Sequence, residues 1–443
     1  MYCVDRIVVK SSDEAYSYLE QTARQAKLLY NASLFRVRNH FTAMKKDVLS
    51  SNEQDVENEI SLLPSKPGSV IGAYALEKLM VLTHNPDYYS GIPSQTAQSI
   101  VEQAVTDFRN WTKALKAWKK DPSAFLGKPK VPHYTKTELK GYTFKNQTAV
   151  IKDGRIVFPK TKLTLPCRAR NGKLCEMKVT PYYGNFLVSV CYESPDVSVR
   201  TGAHAAAIDF GVDNIMTVTS DTGESILFKG GAVKSENRFF NKEKARLVSV
   251  MTKGHPAMKD PTSKRLEALS MHRSERMHDT FQKMSSRLIE WCVGHDIGML
   301  VLSSNKGWKQ NVGMGARNNQ TFVSIPYYKL QWMLRYKAER AGIIVEEQEE
   351  SYTSKASFLD NDRIPVYGEA DSDATFSGRR IHRGLYKSKD GALINADINS
   401  AANILRKHGA DTNGILLSNM QSPLVIRQPD LNKRIPARGI AAA

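Results

Sequence analysis

The sequence has no run approaching the roughly 20 apolar residues that a helix needs to span a bilayer, and stretches such as Ile297 to Leu302 are only strand-sized. Its opening, MYCVDRIVVK, lacks the apolar stretch of a secretory signal. Cysteine is scarce: Cys3, Cys167, Cys175, Cys191 and Cys292 are odd in number and widely spaced, and no C-x-x-C occurs. A disulfide framework or a Cys-rich zinc site is therefore not expected, and the composition reads as cytoplasmic and reduced. No internal repeat is present. Acid is the other shortage, with 45 Asp and Glu against 63 Lys and Arg in 443 residues, a net charge of +18. Such an excess favours a polyanionic partner, because each cation near a phosphate releases condensed counterions. A basic protein without such a partner is the plainer alternative. With 41% apolar and 24% charged residues, the chain is globular, and its length suits about three domains.

Three regions differ in pattern. Residues 1–10 alternate like a strand. From about Ser12 to Lys120 the apolar spacing is helical, most clearly over Gln21 to Phe41 and Thr96 to Trp118. From about 121 to 197, Pro122, Gly127, Pro129 and Pro132 break helices, and short β-type runs follow, as in a small barrel or curled sheet. Residues 109–178 are the most basic part, with eighteen Lys and Arg against four acids. Trp111, Trp118, Phe125, Tyr134, Tyr142 and Phe144 lie among these charges. Cations with interleaved rings suit backbone tracking and base stacking; core aromatics under a solvated basic face would look the same. Beyond 203, strands and helices mix. The stripe Met277, Phe281, Met284, Leu288 and Trp291 marks a helix packed on a core. Residues after about 421 read as a loose tail.

Two acids stand out. Asp209 ends the apolar run Ala205 to Ile208, and a carboxylate in a mixed sheet is costly to bury without a positive partner. Asp397 lies in Ile394-Asn-Ala-Asp-Ile-Asn-Ser-Ala-Ala-Asn-Ile404, as a helix cap or first-turn acid, and the small residues after it allow close approach to a sheet. Oxygen ligands without His or Cys suit Mg²⁺ or Mn²⁺. Two-metal phosphodiester cleavage needs carboxylates converging on ions about 3.5–4 Å apart. Taken singly, each acid is more often structural.

The run Ala207-Ile-Asp-Phe-Gly-Val-Asp-Asn214 and the run around Asp397 resemble the first and last RuvC motifs of the TnpB family. These are RNA-guided nucleases of bacterial insertion sequences, related to type V CRISPR effectors and to Fanzor proteins. Lys306-Gly-Trp-Lys-Gln310, Glu350-Ser-Tyr-Thr-Ser-Lys-Ala-Ser357 and Phe125-Leu-Gly-Lys-Pro-Lys-Val-Pro132 also fit one branch of the family. The resemblance implies a multi-domain α+β chain: an RNase H-like (RuvC) α/β nuclease domain, and a small wedge β-barrel with a helical recognition insert. The expected boundaries are 1–11 and 121–200 for the wedge, 12–120 for the helical insert, 201–420 for the nuclease domain with its own insert at about 358–392, and 421–443 for the tail. It further implies a bacterial, nucleoid-associated protein that binds guide RNA and double-stranded target DNA and no membrane. A companion transposase from the same element is a further possible partner. Two Mg²⁺ (or Mn²⁺) ions would support the cutting.

Two departures from the family pattern matter. The middle acid would end the strand Met299 to Leu302, where this sequence has Ser303 and Ser304. A neighbouring strand instead ends in Glu346, Glu347, Gln348, Glu349 and Glu350, similar to branches with a relocated acid. Glu350 is the expected ligand beside Asp209 and Asp397, with Glu349 as its substitute, since alternate side chains take opposite faces. The second departure is the zinc ribbon: residues 360–390 hold no Cys, so no zinc is expected. Arg379, Arg380, His382, Arg383, Lys387 and Lys389 would make that insert a phosphate contact or a solvated loop. Candidate nucleic-acid contacts are Lys113, Lys116, Lys119, Lys120, Lys128, Lys130, Lys145, Arg168, Arg170, Trp308 and Lys309. By family analogy, Tyr30, Asn31, Arg36, Gln95 and Gln98 face the duplex beside the target, although an ordinary polar helix face is the better reading. The main alternative is a guided DNA-binding protein without cleavage, with transposase-type strand transfer as a third reading.

Overall fold

The computed structural model describes residues 2–159, 161–169, 173–254, 258, 260–304, 324–366 and 375–433. Contacts divide the chain into two compact units, Met1–Pro195 and Asp196–Ala443. Among the described residues no helix is long and apolar enough to cross a membrane.

The first unit is a sheet interrupted by helices. It comprises β1 (Tyr2–Val9), α1 (Tyr16–Ala43), α2 (Ser51–Ile60), α3 (Ala73–Leu82), α4 (Ser94–Lys120), β2 (Tyr142–Lys145), β3 (Val150–Lys152), β4 (Arg155–Val157), β5 (Thr164–Pro166), β6 (Leu174–Tyr182) and β7 (Asn185–Glu193). β1 pairs antiparallel with β7, from Tyr2 opposite Glu193 to Val9 opposite Phe186. The order β1-β7-β6-β2 thus closes across the helices, and β3-β4-β5 form a separate small sheet. One core joins Leu19, Leu29, Ile100 and Phe108 of the helices to Phe144, Val179 and Val188 of the strands. The helices and strands therefore fold as one unit, ending at Pro195 rather than near 200.

In α4 the buried residues run from Thr96 to Phe108 and then stop. Its last turns carry exposed Lys113, Lys116, Lys119 and Lys120. The interleaved rings divide. Tyr142 and Phe144 are core, and Trp111 packs on Phe41 and Phe108 while its indole N–H donates to Pro129 O. These three are fixed by packing, not presented for stacking. Trp118 is half-buried, with the Lys128 ammonium 5.9 Å from its ring centroid.

The second unit comprises β8 (His204–Asp209), β9 (Asn214–Ser220), β10 (Ser225–Lys229), α5 (Gly231–Thr252), α6 (Lys264–Gly294), β11 (Ile297–Ser304), α7 (Tyr327–Arg340), β12 (Ile344–Glu349), β13 (Arg379–His382), β14 (Leu385–Lys387), β15 (Leu393–Asn395), α8 (Ala396–His408), α9 (Leu417–Gln421) and β16 (Leu424–Ile426). Its main sheet has the order β12-β11-β8-β9-β10-β16. β8, β9 and β10 form an antiparallel meander, while β11 and β12 run parallel to β8. The two sheet faces are covered differently. Ala206, Ile208, Leu300 and Leu302 share a core with Phe281 of α6 and Leu330 of α7. Ala207 and Val301, one residue out of phase, pack on Ile404 and Leu405 of α8. The stripe on α6 is core along its whole length.

The segment after 421 differs from the loose tail its composition suggests. β16 adds a sixth strand parallel to β10, and Ile426 and Leu431 are buried in the α6–α7 core. Its few apolar residues are too short a run to show periodicity. Ile426→Ala should destabilise the protein by about 2–5 kcal/mol, read by urea denaturation. A loose tail would show no change.

Candidate active site

Strand alternation places Asp209. It lies two residues beyond Ala207 and so belongs to the α8 face of the sheet. Gly211, just beyond it, turns tightly: a Cβ there would stand 2.8 Å from Asn214 O. The loop then returns as β9, beginning at Asn214.

α8 brings the second acid. Asn395 caps it, its Oδ1 accepting from the N–H groups of Asp397 (2.9 Å) and Ile398 (3.3 Å). Asp397 is therefore a first-turn acid rather than the cap. Ser400, Ala401 and Ala402 are buried against the sheet, so small side chains let the helix start come close to β8 and β9. Asn214 Nδ2 donates to Asp397 Oδ2 (2.7 Å), and Lys229 Nζ holds Asn214 Oδ1 (2.9 Å). The Arg380 guanidinium, from the insert, donates to Asp397 Oδ1 at 3.3 Å.

The third acid comes from the end of edge strand β12. Asn399 and Asn403 of α8 hold the following loop: Asn399 accepts from Phe358 N–H and donates to Ala356 O, and Asn403 donates to Thr353 O and Ala356 O. Glu350 begins that loop, and its backbone oxygen accepts from the Thr353 hydroxyl (2.8 Å). Burial drives the Asp209 carboxyl well above the usual carboxylate range. The negative charges of Glu350 and then Asp397 push it further, against the pull of Arg380. Glu350 and Asp397 thus both act on Asp209, from 141 and 188 residues further along the chain. Glu349 is turned elsewhere. Its carboxylate accepts from Lys407 Nζ (2.6 Å) and from Ser351 N–H (2.7 Å). Burial raises its pKa, but these partners outweigh that and hold it below its usual value.

Ser303 also falls on the α8 face, two residues past Val301 and beside Asp209 in the parallel register. It is 1% exposed, and its hydroxyl has no hydrogen-bond partner among the described residues. Tyr327 closes the other side, its hydroxyl donating to Gly211 O at 2.5 Å. Burial raises the pKa of that hydroxyl, and the Asp209 charge adds to it. Asp213 is ion-paired to Lys234 and to Arg383. Lys234 and Arg383 thus stand at Asp213, while Lys229 reaches Asn214 and Arg380 reaches Asp397, a cationic rim on the loop side of the acids.

The donor chemistry fits a hard divalent cation: three carboxylates, two of which act on the third, and beside them a buried hydroxyl with no hydrogen-bond partner among the described residues. The arrangement is not a closed cage. Among the described residues no group of three His, Cys, Asp or Glu side chains is gathered tightly enough to hold a metal ion, and Asp397 is paired with Arg380 and Asn214 instead.

The insert holds its shape through carboxylates. Asp360 accepts from the Ser357 hydroxyl (2.6 Å) and Lys389 N–H (2.9 Å). Asp362 accepts from Ser357 N–H (2.7 Å) and from the Ser377 hydroxyl (2.6 Å). These bonds tie the loop after Ala356 to both ends of the β13-β14-β15 sheet, whose Tyr386 is buried. Hydrogen bonds to a charged group are worth about 1.5–3 kcal/mol each. Asp362→Ala should therefore lower the Tm by several degrees and speed amide exchange over 377–395, and added zinc should not restore either.

Of the other expected contacts, Lys128, Lys130 and Arg168 are exposed in the first unit, and Lys145 lies 3.5 Å from Glu176. Arg170, Trp308 and Lys309 lie outside the described residues. Tyr30, Asn31 and Arg36 are engaged within the fold. The Tyr30 hydroxyl donates to Asp107, both ends of the Asn31 amide bond the Thr135 backbone, and Arg36 is 9% exposed and grips Glu59 with two nitrogens. Their polar pattern on α1 reflects packing between helices and loops. Gln98 is exposed and donates to Glu77, while Gln95 bonds Gln147 and Thr148. Asn214, Asn399 and Asn403 were missed as positioning residues; the signal was their place inside the two acidic motifs.

Comparison with known proteins bears on the whole arrangement. A family model described as "Probable transposase" (OrfB_IS605) matches residues 189–309, and one described as "Cas12f1-like, TNB domain" matches residues 327–404. The TnpB-like protein ORF457 of Acidianus two-tailed virus is 23% identical over 254 residues, 56% of this chain and 50% of that protein. The match thus spans about half the length of that curated relative. The structure of a Cas12f1–sgRNA–target DNA complex is similar at a TM-score of 0.50 and 14% identity, covering 88% of this chain and 82% of that one. A CRISPR–Cas12f ternary complex gives a TM-score of 0.32 at 13% identity, over 87% of this chain and 80% of that one. Two adjoining family models, the viral relative and the shared fold agree with the ordered motifs of the sequence and support its resemblance to the TnpB family.

Proposed function

We propose that the protein is an RNA-guided DNA endonuclease of a transposon, cleaving target DNA beside a short flanking motif. The observation that carries this is the burial of Asp209 at the end of β8 with the charges of Glu350 and Asp397 acting on it, beside a rim of cations. The strand order, an antiparallel meander flanked by two parallel strands, supports an RNase H-like reading of the domain. Two Mg²⁺ (or Mn²⁺) ions would be held by Asp209, Glu350 and Asp397. Bound there, they would supply charge stabilisation and an activated water for phosphodiester hydrolysis. Asp397 would exchange Arg380 for the cation, Asn214 would keep its carboxylate oriented, and the rim would hold the scissile strand's phosphates. Guide RNA and double-stranded DNA are the partners this reading requires, with sequence chosen by base pairing and the heteroduplex held through its backbone. The exposed lysines at the end of α4 suit that task. A companion transposase belongs to the same reading. Protein purified with its guide RNA should linearise a target plasmid in Mg²⁺ and fail to do so in EDTA.

One observation favours a second reading, guided binding without cleavage: Ser303 stands on β11 where an acid would otherwise face Asp209. Guided binding in Mg²⁺ with no cut strand would establish it.

A further inference from the structure

One face of α7 is unusual for a helix packed on a core. Tyr327, Leu330, Met333, Leu334 and Ala338 are buried on its inner side. On the opposite side Tyr328 is 70% exposed and Trp332 is 56% exposed. They are four residues apart and therefore neighbours on the helix surface. Their rings meet edge to face, with centroids 6.4 Å apart and planes at 73°, which leaves ring faces open to solvent. Large exposed aromatics are informative where scattered small apolar residues are not.

The surroundings say what would cover them. Lys329, between the two, is exposed, and Arg335 of the same helix is ion-paired with Glu347. Two rings among charged neighbours are too narrow for a stable protein interface, which buries roughly 800 Å² on each partner. They suit the flat face of a nucleobase, which stacks on an aromatic ring whatever its sequence. α7 begins near the sheet end that carries Asp209, since the hydroxyl of its first residue, Tyr327, bonds Gly211, two residues past Asp209, and the ring pair lies on the outer side of that helix start.

We infer that Tyr328 and Trp332 form a stacking platform for unpaired bases of the DNA strand delivered to Asp209. This rests on the proposed nuclease reading, in which guide pairing leaves one strand single. The platform fixes the strand through its bases, while the cationic rim holds its phosphates.

Binding of a fluorescein-labelled oligothymidylate to the Asp209→Ala protein in EDTA tests the platform without cleavage. A matched oligomer carrying abasic sites is the control. Adding Tyr328→Ala or Trp332→Ala should each weaken oligothymidylate binding by about tenfold. The abasic oligomer should bind weakly and be insensitive to both changes. Trp332→Phe should restore most of the affinity, and the salt dependence should stay the same because phosphate contacts remain. Three results would overturn the inference: alanine variants that bind like their parent, equal losses on both oligomers, or no measurable oligothymidylate binding by the parent. A concentration-dependent dimer abolished by Trp332→Ala, with strand binding intact, would assign the face to a second copy of the chain. Loss of base-dependent binding in a protein that never cuts a guided target would leave the platform standing and sink the nuclease reading alone.

Discussion

Asp209→Ala is expected to abolish guided DNA cleavage, lowering the rate by on the order of a thousandfold or more, about 4 kcal/mol of lost transition-state stabilisation. Guided binding should survive. The reason lies in the geometry of β8. Asp209 sits at the sheet end, acted on by both other acids, so its removal dissolves the proposed cation site while the lysines of α4 and the rim stay in place. A plasmid-cleavage assay and a gel-shift on the same preparation check both halves. A stability measurement adds an independent arm. The folded-state pKa of Asp209 lies above its unfolded value, so the folded protein holds the proton more tightly. Between those two values folding loses stability as pH rises, and the cost is fully present above the folded value. Metal-free Asp209→Asn protein should therefore melt at a higher temperature than its parent. The gap should widen as pH rises from about 4, the unfolded value, and Mg²⁺ should narrow it by stabilising the parent alone. Equal melting curves at pH 5 and pH 8 would remove the argument from mutual repulsion.

Much of the second unit was legible because its elements repeat one rule. β8 and β11 alternate between two covered faces, and α6 carries an unbroken apolar stripe. Period and run length alone therefore located them. Asp209 and Asp397 were legible because each breaks such a pattern where burial of charge is costly. Glu350, proposed as the third ligand, was legible only as one of an acidic run. Its assignment depends on how the chain leaves an edge strand, which Asn399 and Asn403 control from a distance. The partners of the polar residues of α1 were hidden for a different reason. Asn31 and Arg36 have the chemistry to read DNA edges, but their partners, Thr135 and Glu59, lie 104 and 23 residues away and become visible only on folding. The last strand, β16, was hidden by its length of three residues.

Glu349 and Glu350 should separate cleanly by substitution, and in opposite measurements. Glu350→Gln removes a charge that acts on Asp209, so cleavage should fall by on the order of a thousandfold. Glu349→Gln removes the ion-pair partner of Lys407, whose side chain is only 7% exposed. That ammonium would keep the backbone oxygens of Ser351 and Pro365 as acceptors but lose its countercharge. Breaking a buried pair on one side costs about 3–5 kcal/mol, and the half-buried Glu349 carboxylate places this case toward the lower end. Cleavage below the new melting temperature should remain within a few-fold of the parent. Pairing Glu349→Gln with Lys407→Met should recover part of the lost stability, because the stranded charge is then gone. The reverse pattern, with Glu349→Gln inactive yet stable and Glu350→Gln fully active, would move the third ligand by one residue. Activity in both variants would show that cleavage needs no third acid from β12, and the assignment of Glu350 would fall.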